Sequence, residues 1–297
     1  MKARGVHLQY QFEREAQQGA ALQNPLFDLL SAVHDCGSIQ HAAKALGASY
    51  RHVWGSLKRW EDELGEPLVT WAQGQPARLT PFADRLLWAE KRARARLAPH
   101  IEALRAELGR VLTEALDGSQ QVLTIHASHD LALPRLREAA AAQGLHIELR
   151  FAGSMDALRA LAEGRCTVAG FHVPPLADSR NRIARALKPL LKPGKHKLIG
   201  CMTRRLGLIV AAGNPQGGGS LADLPRLRFV PRQAGSGTRL LTAHLLAEAG
   251  VDPSTIPGFD GAAEDSHLAV AAAVASGAGD AAFGIEAAAR QFGLHRS

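Results

Sequence analysis

The chain has 297 residues, 46% hydrophobic and 21% charged, a balance that excludes a disordered or fibrous protein and favours two domains and a connector over a single core. Its 35 Lys and Arg against 28 Asp and Glu leave a formal charge of +7, with the excess toward the N-terminal half, which suits a polyanionic partner there. No apolar run reaches membrane-spanning length, no signal-peptide core is present, and Cys36, Cys166 and Cys201 are scattered, so a cytoplasmic protein with no membrane partner, metal or cofactor is expected.

Leu26, Phe27, Leu29, Leu30 and Val33 have helical spacing that ends at Cys36-Gly37. Ser38 then reads as the N-cap of a short helix carrying His41 and closing at Gly47. After Ser49, the residues Val53, Trp54, Leu57, Trp60 and Leu64 predict a helix from Tyr50 to about Leu64, with Arg51, His52, Lys58 and Arg59 on its opposite face. Two short helices about a glycine turn form the helix-turn-helix pattern. Such a basic face suits phosphates and base edges in a major groove of double-stranded DNA, or it is the solvated side of an ordinary helical hairpin.

Leu68 to Trp71 and Ala77 to Thr80 are strand-like runs about the turn-rich Ala72-Gln73-Gly74-Gln75-Pro76, which predicts a small hairpin, or wing, with Arg78 in reach of a phosphate. Thr80-Pro81 is an N-cap followed by a first-turn proline. From there a helical pattern runs to about Leu116, and Leu97, Ile101, Leu104, Leu108 and Val111 repeat every three or four residues. That seam is either a dimerisation surface or a face packed on its own domain, with Pro99 as a candidate kink. Asp117-Gly118-Ser119 breaks the helix and marks a boundary.

Beyond residue 120, strand-like and helical runs alternate: Val122 to Ile125, a helix at 131–143, Ile147 to Phe151, a helix at 154–163, and Thr167 to Phe171. This order implies a parallel α/β sheet, whose ligands sit at strand C-termini facing helix N-termini. Ser128, Ser154 and His172 follow the first three strands, and Ser236, Gly237, Thr238 and Arg239 follow Leu227 to Val230 and open a helix over 240–249. Hydroxyls and amides at helix starts suit a small anion, and Arg239 would add a bidentate contact. Ser128 and Ser154 are equally plain helix caps. His126 and His129 have H-x-x-H spacing but lie on a strand-to-loop segment, which does not favour a metal.

These residues carry a family resemblance. The runs G-S-I-Q-H-A-A-K-A-L-G-A-S-Y-R-H-V-W-G-S-L, L-G-E-P-L-V and A-R-L-T-P-F-A-D-R-L-L closely resemble the N-terminal domain of ModE-type molybdate regulators and, more broadly, the LysR-type DNA-binding domain. The resemblance implies Ser49, Tyr50, Arg51 and His52 at the DNA-facing start of the recognition helix and Trp54 in the core. The wing has less glycine than is usual in the family. The runs A-S-H-D-L-A-L, F-A-G-S-M-D-A-L-R-A-L, G-L-I-V-A-A-G-N-P and G-S-G-T-R, with H-L-A-V-A-A-A-V-A-S-G-A-G-D-A-A-F-G-I, resemble the type II periplasmic-binding-protein fold used as a sensor in LysR-type regulators.

The implied fold is an all-α winged helix-turn-helix domain (22–80), a linker and dimerisation helix (81–117), and an α/β two-lobed periplasmic-binding-protein-like domain (120–297). Its first lobe would take about 120–200 and 286–297, and its second about 201–285. The implied function is transcriptional regulation by a homodimer or homotetramer that binds DNA under control of a small anion: molybdate, tungstate, sulfate or a carboxylate such as formate. The rival is an enzyme on a small acid using Asp130, Asp265 and His267, although no nucleophile, base and orienting group assemble from the spacing.

Overall fold

A computed structural model describes residues 24–71, 76–116, 122–173 and 182–296; the wing centre at 72–75 lies outside them. Helices α1 (Pro25–Cys36), α2 (Ile39–Ala45) and α3 (Tyr50–Leu64) are bounded by local chemistry. The Asn24, Ser38 and Ser49 side chains accept from Leu26, His41 and His52 amides at 3.0, 3.4 and 3.2 Å, satisfying donors that a helix start leaves orphaned. Gly37 and Gly65 close α1 and α3 at φ 60° and 72°, a left-handed conformation that a side chain resists. Leu30, Val33, Val53, Leu57, Leu68 and Leu87 form the centre of this domain's core. Trp54, expected inside, packs only on its rim.

Strands β1 (Val69–Thr70) and β2 (Arg78–Leu79) pair antiparallel, Val69 opposite Leu79. The base of this hairpin is tied to α3, because Glu61 accepts from the Leu68 amide at 2.8 Å and pairs with Lys58 at 2.6 Å. Helix α4 (Pro81–Leu116) then runs 36 residues without interruption through Pro99, about 54 Å at 1.5 Å per residue. It is one rod rooted in the first core through Leu87 and reaching the second domain.

In the second domain β3 (Val122–Ala127), α5 (Ala132–Ala141), β4 (His146–Phe151), α6 (Ser154–Ala162) and β5 (Val168–Gly170) make a parallel sheet in the order β4-β3-β5. After α7 (Arg182–Leu187) come β6 (Leu206–Val210), β7 (Phe229–Val230), α8 (Gly237–Glu248), α9 (His267–Ala275), β8 (Ala281–Ile285), α10 (Glu286–Gln291) and β9 (His295–Arg296). Their sheet has the order β7-β8-β6-β9. Two corrections follow. Helix α8 begins at Gly237 and not at 240, because Ser236 caps it by accepting from the Arg239 amide at 3.1 Å. The stretch after 286, expected with the first lobe, stays on the second. There β9 pairs with β6, and Leu294 packs against Val230 and Val270 after the turn at Gly293. Among the described residues no helix is long and apolar enough to cross a membrane.

Candidate functional site

Two surfaces concentrate the chemistry. On the first domain, Ser49, Tyr50, Arg51, His52, Lys58 and Arg59 are all exposed along α3, with His41 on α2 and Arg78 on β2, while Ser38 is half-buried. Val53 and Leu57 turn the opposite side of α3 into the core. Gly55 lies between Arg51 and Arg59, and a Cβ there would meet nothing within 4 Å among the described residues. Lys58 departs from the pattern. It sits 4.9 Å over the Trp54 ring and pairs with Glu61, on a flank where Tyr50, Trp54 and Trp71 contact in sequence.

The second surface lies between the lobes of the other domain. The loops opening α6 and α8 touch: a Cβ on Gly153 would come 3.1 Å from the Gly235 carbonyl oxygen, and one on Gly237 would come 3.8 Å from Ser154 Oγ. Ser154 is 1% exposed, and its hydroxyl accepts from the His172 amide at 3.4 Å; Gly153, not Ser154, is the N-cap of α6.

Arg232, just beyond β7, is 5% exposed. Its Nε donates to the Glu264 carbonyl at 3.1 Å and its Nη2 to the Asp265 carbonyl at 3.0 Å, and Nη1 has no partner among the described residues. Ser128 Oγ and His267 Nδ1 are likewise buried and unpartnered. Arg204 pairs with Asp130 at 2.9 Å. Unpaired buried polar groups are costly, which makes Arg232 Nη1, Ser128 Oγ and His267 Nδ1 candidate contacts for a bound group.

Burial lowers the pKa of Arg232 to about 10, helped by Arg204 and opposed by Asp265. Burial also holds three histidines down. His172 falls to about 4, with Arg204 adding and Asp130 opposing. His267 is pushed well below the usual value, with Arg232, Arg204, His172 and His129 adding. His129 falls too, with Arg232 adding and Asp130, Asp265 and Glu102 opposing. At neutral pH the cationic character here is therefore arginine alone.

The unfolded chain protonates histidine near 6.5. Above that pH both states are neutral; as pH falls toward 4 the unfolded state takes up protons the fold refuses, so stability is lost in that window. The melting temperature is expected to be lower at pH 5 than at pH 7.5 in calorimetry, and His172→Gln is expected to blunt the difference. A flat profile would contradict neutral burial.

The structure brings Ser154, His172 and Gly237 together, with Ser236 and Thr238 buried at the start of α8; Ser128 Oγ is buried beyond the end of β3. Arg239 is the correction. As the third residue of α8 it points outward, its guanidinium 3.7 Å from the Phe259 ring centre and its Nη2 on Asp260 at 2.8 Å, so both its stacking face and its charge are engaged. Arg232, buried beyond β7, is the guanidinium near His129 and His267; a charged residue directly after an apolar strand end is the signal the sequence offers for it. Arg204 and His129 gave none.

The enzyme set does not assemble either. The two oxygens of Asp130 are spent on Arg204 and the Ala132 amide, while Asp265 faces His100 at 3.3 Å. His126 sits near Arg150, Arg165 and Glu148, away from the neighbours of His129, so the two do not form a metal pair. A cavity of about 830 Å³ lies between α1, α4 and the second domain, lined among others by Phe27, Trp88, His129, Leu131, Leu268 and Phe292.

Residues 26–84 match the model of the bacterial regulatory helix-turn-helix protein, lysR family, and residues 136–295 match the PBP superfamily domain. The uncharacterized protein YvgK of Bacillus subtilis (strain 168) is 29% identical over 181 residues, 60% of this chain and 54% of that protein; the match spans about half the length of that relative. The molybdenum-pterin-binding protein MopB of Rhodobacter capsulatus is 27% identical over 203 residues, 61% of this chain and 73% of that protein. Among solved structures, a hydrogen-peroxide-bound mutant of Corynebacterium glutamicum OxyR aligns with TM-score 0.42 and 17% identity, covering 92% of this chain and 77% of the other. The LysR family transcriptional regulator HinK of Pseudomonas aeruginosa aligns with TM-score 0.39 and 19% identity, covering 89% and 80%. With more than half of its residues matched, the chain belongs to the PBP superfamily, and it carries ahead of that domain a helix-turn-helix domain of the lysR family.

Proposed function

We propose that this chain is a transcriptional regulator and not an enzyme: its first domain binds double-stranded DNA, and a small anion held between the lobes of its second domain sets the affinity. The observation that carries the DNA half is the basic face of α3, where Arg51, His52 and Arg59 stand exposed among the described residues around the open Gly55. The anion half rests on the unpartnered Nη1 of Arg232 and hydroxyl of Ser128, a fork and an O–H suited to anionic oxygens. Molybdate, tungstate, sulfate and formate are the candidate effectors; the likeness to a molybdenum-pterin-binding protein puts molybdate first.

The active form is a homodimer or homotetramer. Leu97, Leu104 and Val111, seven residues apart on α4, are 37%, 46% and 50% exposed, an unpartnered heptad seam that a second α4 would cover. Calorimetry with the four anions tests the effector site; heat from at least one is expected, and none from any would remove that half of the reading.

A further inference from the structure

Helix α4 does more than join the domains; it grips the segment that holds Arg232. The Arg96 Nε lies 3.0 and 2.9 Å from the two carboxylate oxygens of Glu264, with Nη2 closing on the same group. Glu264 is 7% exposed at its side chain. One residue on, Asp265 Oδ2 meets His100 of α4 at 3.3 Å. Next, Ser266 Oγ donates to the Ala95 carbonyl at 3.4 Å, and Ala95 packs on Ala269 and Ala272 of α9.

The same three residues border the anion site from the other side. The carbonyls of Glu264 and Asp265 accept from Arg232, Arg232 forms a parallel bridge with Glu264, and Ser266 caps α9 just ahead of His267.

We propose that Arg96 is a positioning residue for the anion site: by clamping Glu264 it aims the Arg232 guanidinium, and through that clamp α4 carries the state of the site to the DNA-binding domain. The physical chain is short. An anion drawn to Arg232 Nη1 shifts the guanidinium, the two carbonyls that hold it shift with it, and Arg96 and His100 transmit the shift to a rod whose other end lies in the first core at Leu87. Exposure of Arg96 does not remove the effect, because its partner is buried and the contact is bidentate. Coupling of this kind is reciprocal, so DNA and anion must change each other's affinity by one common factor, about 5- to 150-fold in typical cases.

This rests on the regulator reading above, and the test separates the two. The full chain and its Arg96→Met, Arg96→Lys and Glu264→Gln variants are titrated with molybdate, sulfate and formate by calorimetry. Each is also titrated with a duplex of roughly 30 base pairs, selected by the wild-type chain from a random library, with and without the anion that binds.

Arg96→Met is expected to bind the anion about 3- to 10-fold more weakly and to lose the coupling, the two DNA affinities agreeing within about 2-fold. Arg96→Lys should fall between, because it keeps charge without the fork. A merely structural role would lower stability but leave the ratio of the two DNA affinities unchanged. Wild-type coupling retained in Arg96→Met overturns the proposal while the regulator reading stands. Should Arg96→Met not fold, the same comparison on Arg96→Lys and Glu264→Gln decides. Silence of all three anions on the wild-type chain removes the anion site, and the role of Arg96 with it.

Discussion

Replacing Arg232 with methionine is expected to weaken anion binding by at least about 30-fold. Removing one partner of a buried, hydrogen-bonded charge contact costs about 2–5 kcal/mol, and each 1.4 kcal/mol is a factor of about ten in affinity. The Nη1 that would meet the anion disappears, and the carbonyls of Glu264 and Asp265 lose the donors that fixed them. Gln233 Nε2 still reaches the Asp265 carbonyl at 3.1 Å, and the Gln233 amide still donates to the Glu264 carbonyl at 3.0 Å, so the loop stays anchored and the domain should fold. Arg232→Lys separates charge from geometry: it retains a cation but no fork, and a loss nearer tenfold is expected. Calorimetry with molybdate and with sulfate reads both variants. Arg232→Met binding as tightly as the wild type would mean that the anion sits elsewhere.

The second large effect concerns the DNA-binding domain. Leu57 is 1% exposed at the centre of the first core, on the inner face of α3. Leu57→Ala is expected to cost about 2–5 kcal/mol, from lost transfer energy and the cavity left behind. For a domain of this size that is a fall in melting temperature of at least about 10 °C. The readout is selective, since all four tryptophans, Trp54, Trp60, Trp71 and Trp88, lie in or beside this domain. The tryptophan-fluorescence transition should move down while the transition of the second domain, seen by circular dichroism, stays in place. Coincident shifts of equal size would show that the two domains unfold as one unit.

The parts of this molecule that were legible in the sequence are those set by neighbours in the chain. Helix α3 runs Tyr50–Leu64 as expected because its start and stop are written in Ser49 and Gly65, and its inner face in Val53 and Leu57. The three parallel strands of the first lobe fell where their β-rich runs lay, for the same reason.

Of the residues expected to hold an anion, Arg239 is the one whose surroundings in the fold differ from the expectation. Sequence spacing put Arg239 at the helix start without showing which way it turns, and helical phase sends it outward to Phe259 and Asp260. Arg204 depends on Asp130, 74 positions away, and Arg96 on Glu264, 168 positions away; no local pattern carries such pairs. The final strand was misplaced because two residues, His295 and Arg296, are too few to show which sheet they join.

The most direct test of the whole account is a salt titration of DNA binding. The logarithm of the association constant for the selected duplex should fall linearly with the logarithm of salt concentration. Each phosphate contact removed should lower the slope by roughly one. Arg51→Ala and Arg59→Ala, at exposed positions with no ion pair among the described residues, should each weaken binding and flatten the slope by about that amount, with melting temperature unchanged. A duplex that binds at no salt concentration, or a slope indifferent to both substitutions, would contradict the assignment of α3 as the face that meets DNA.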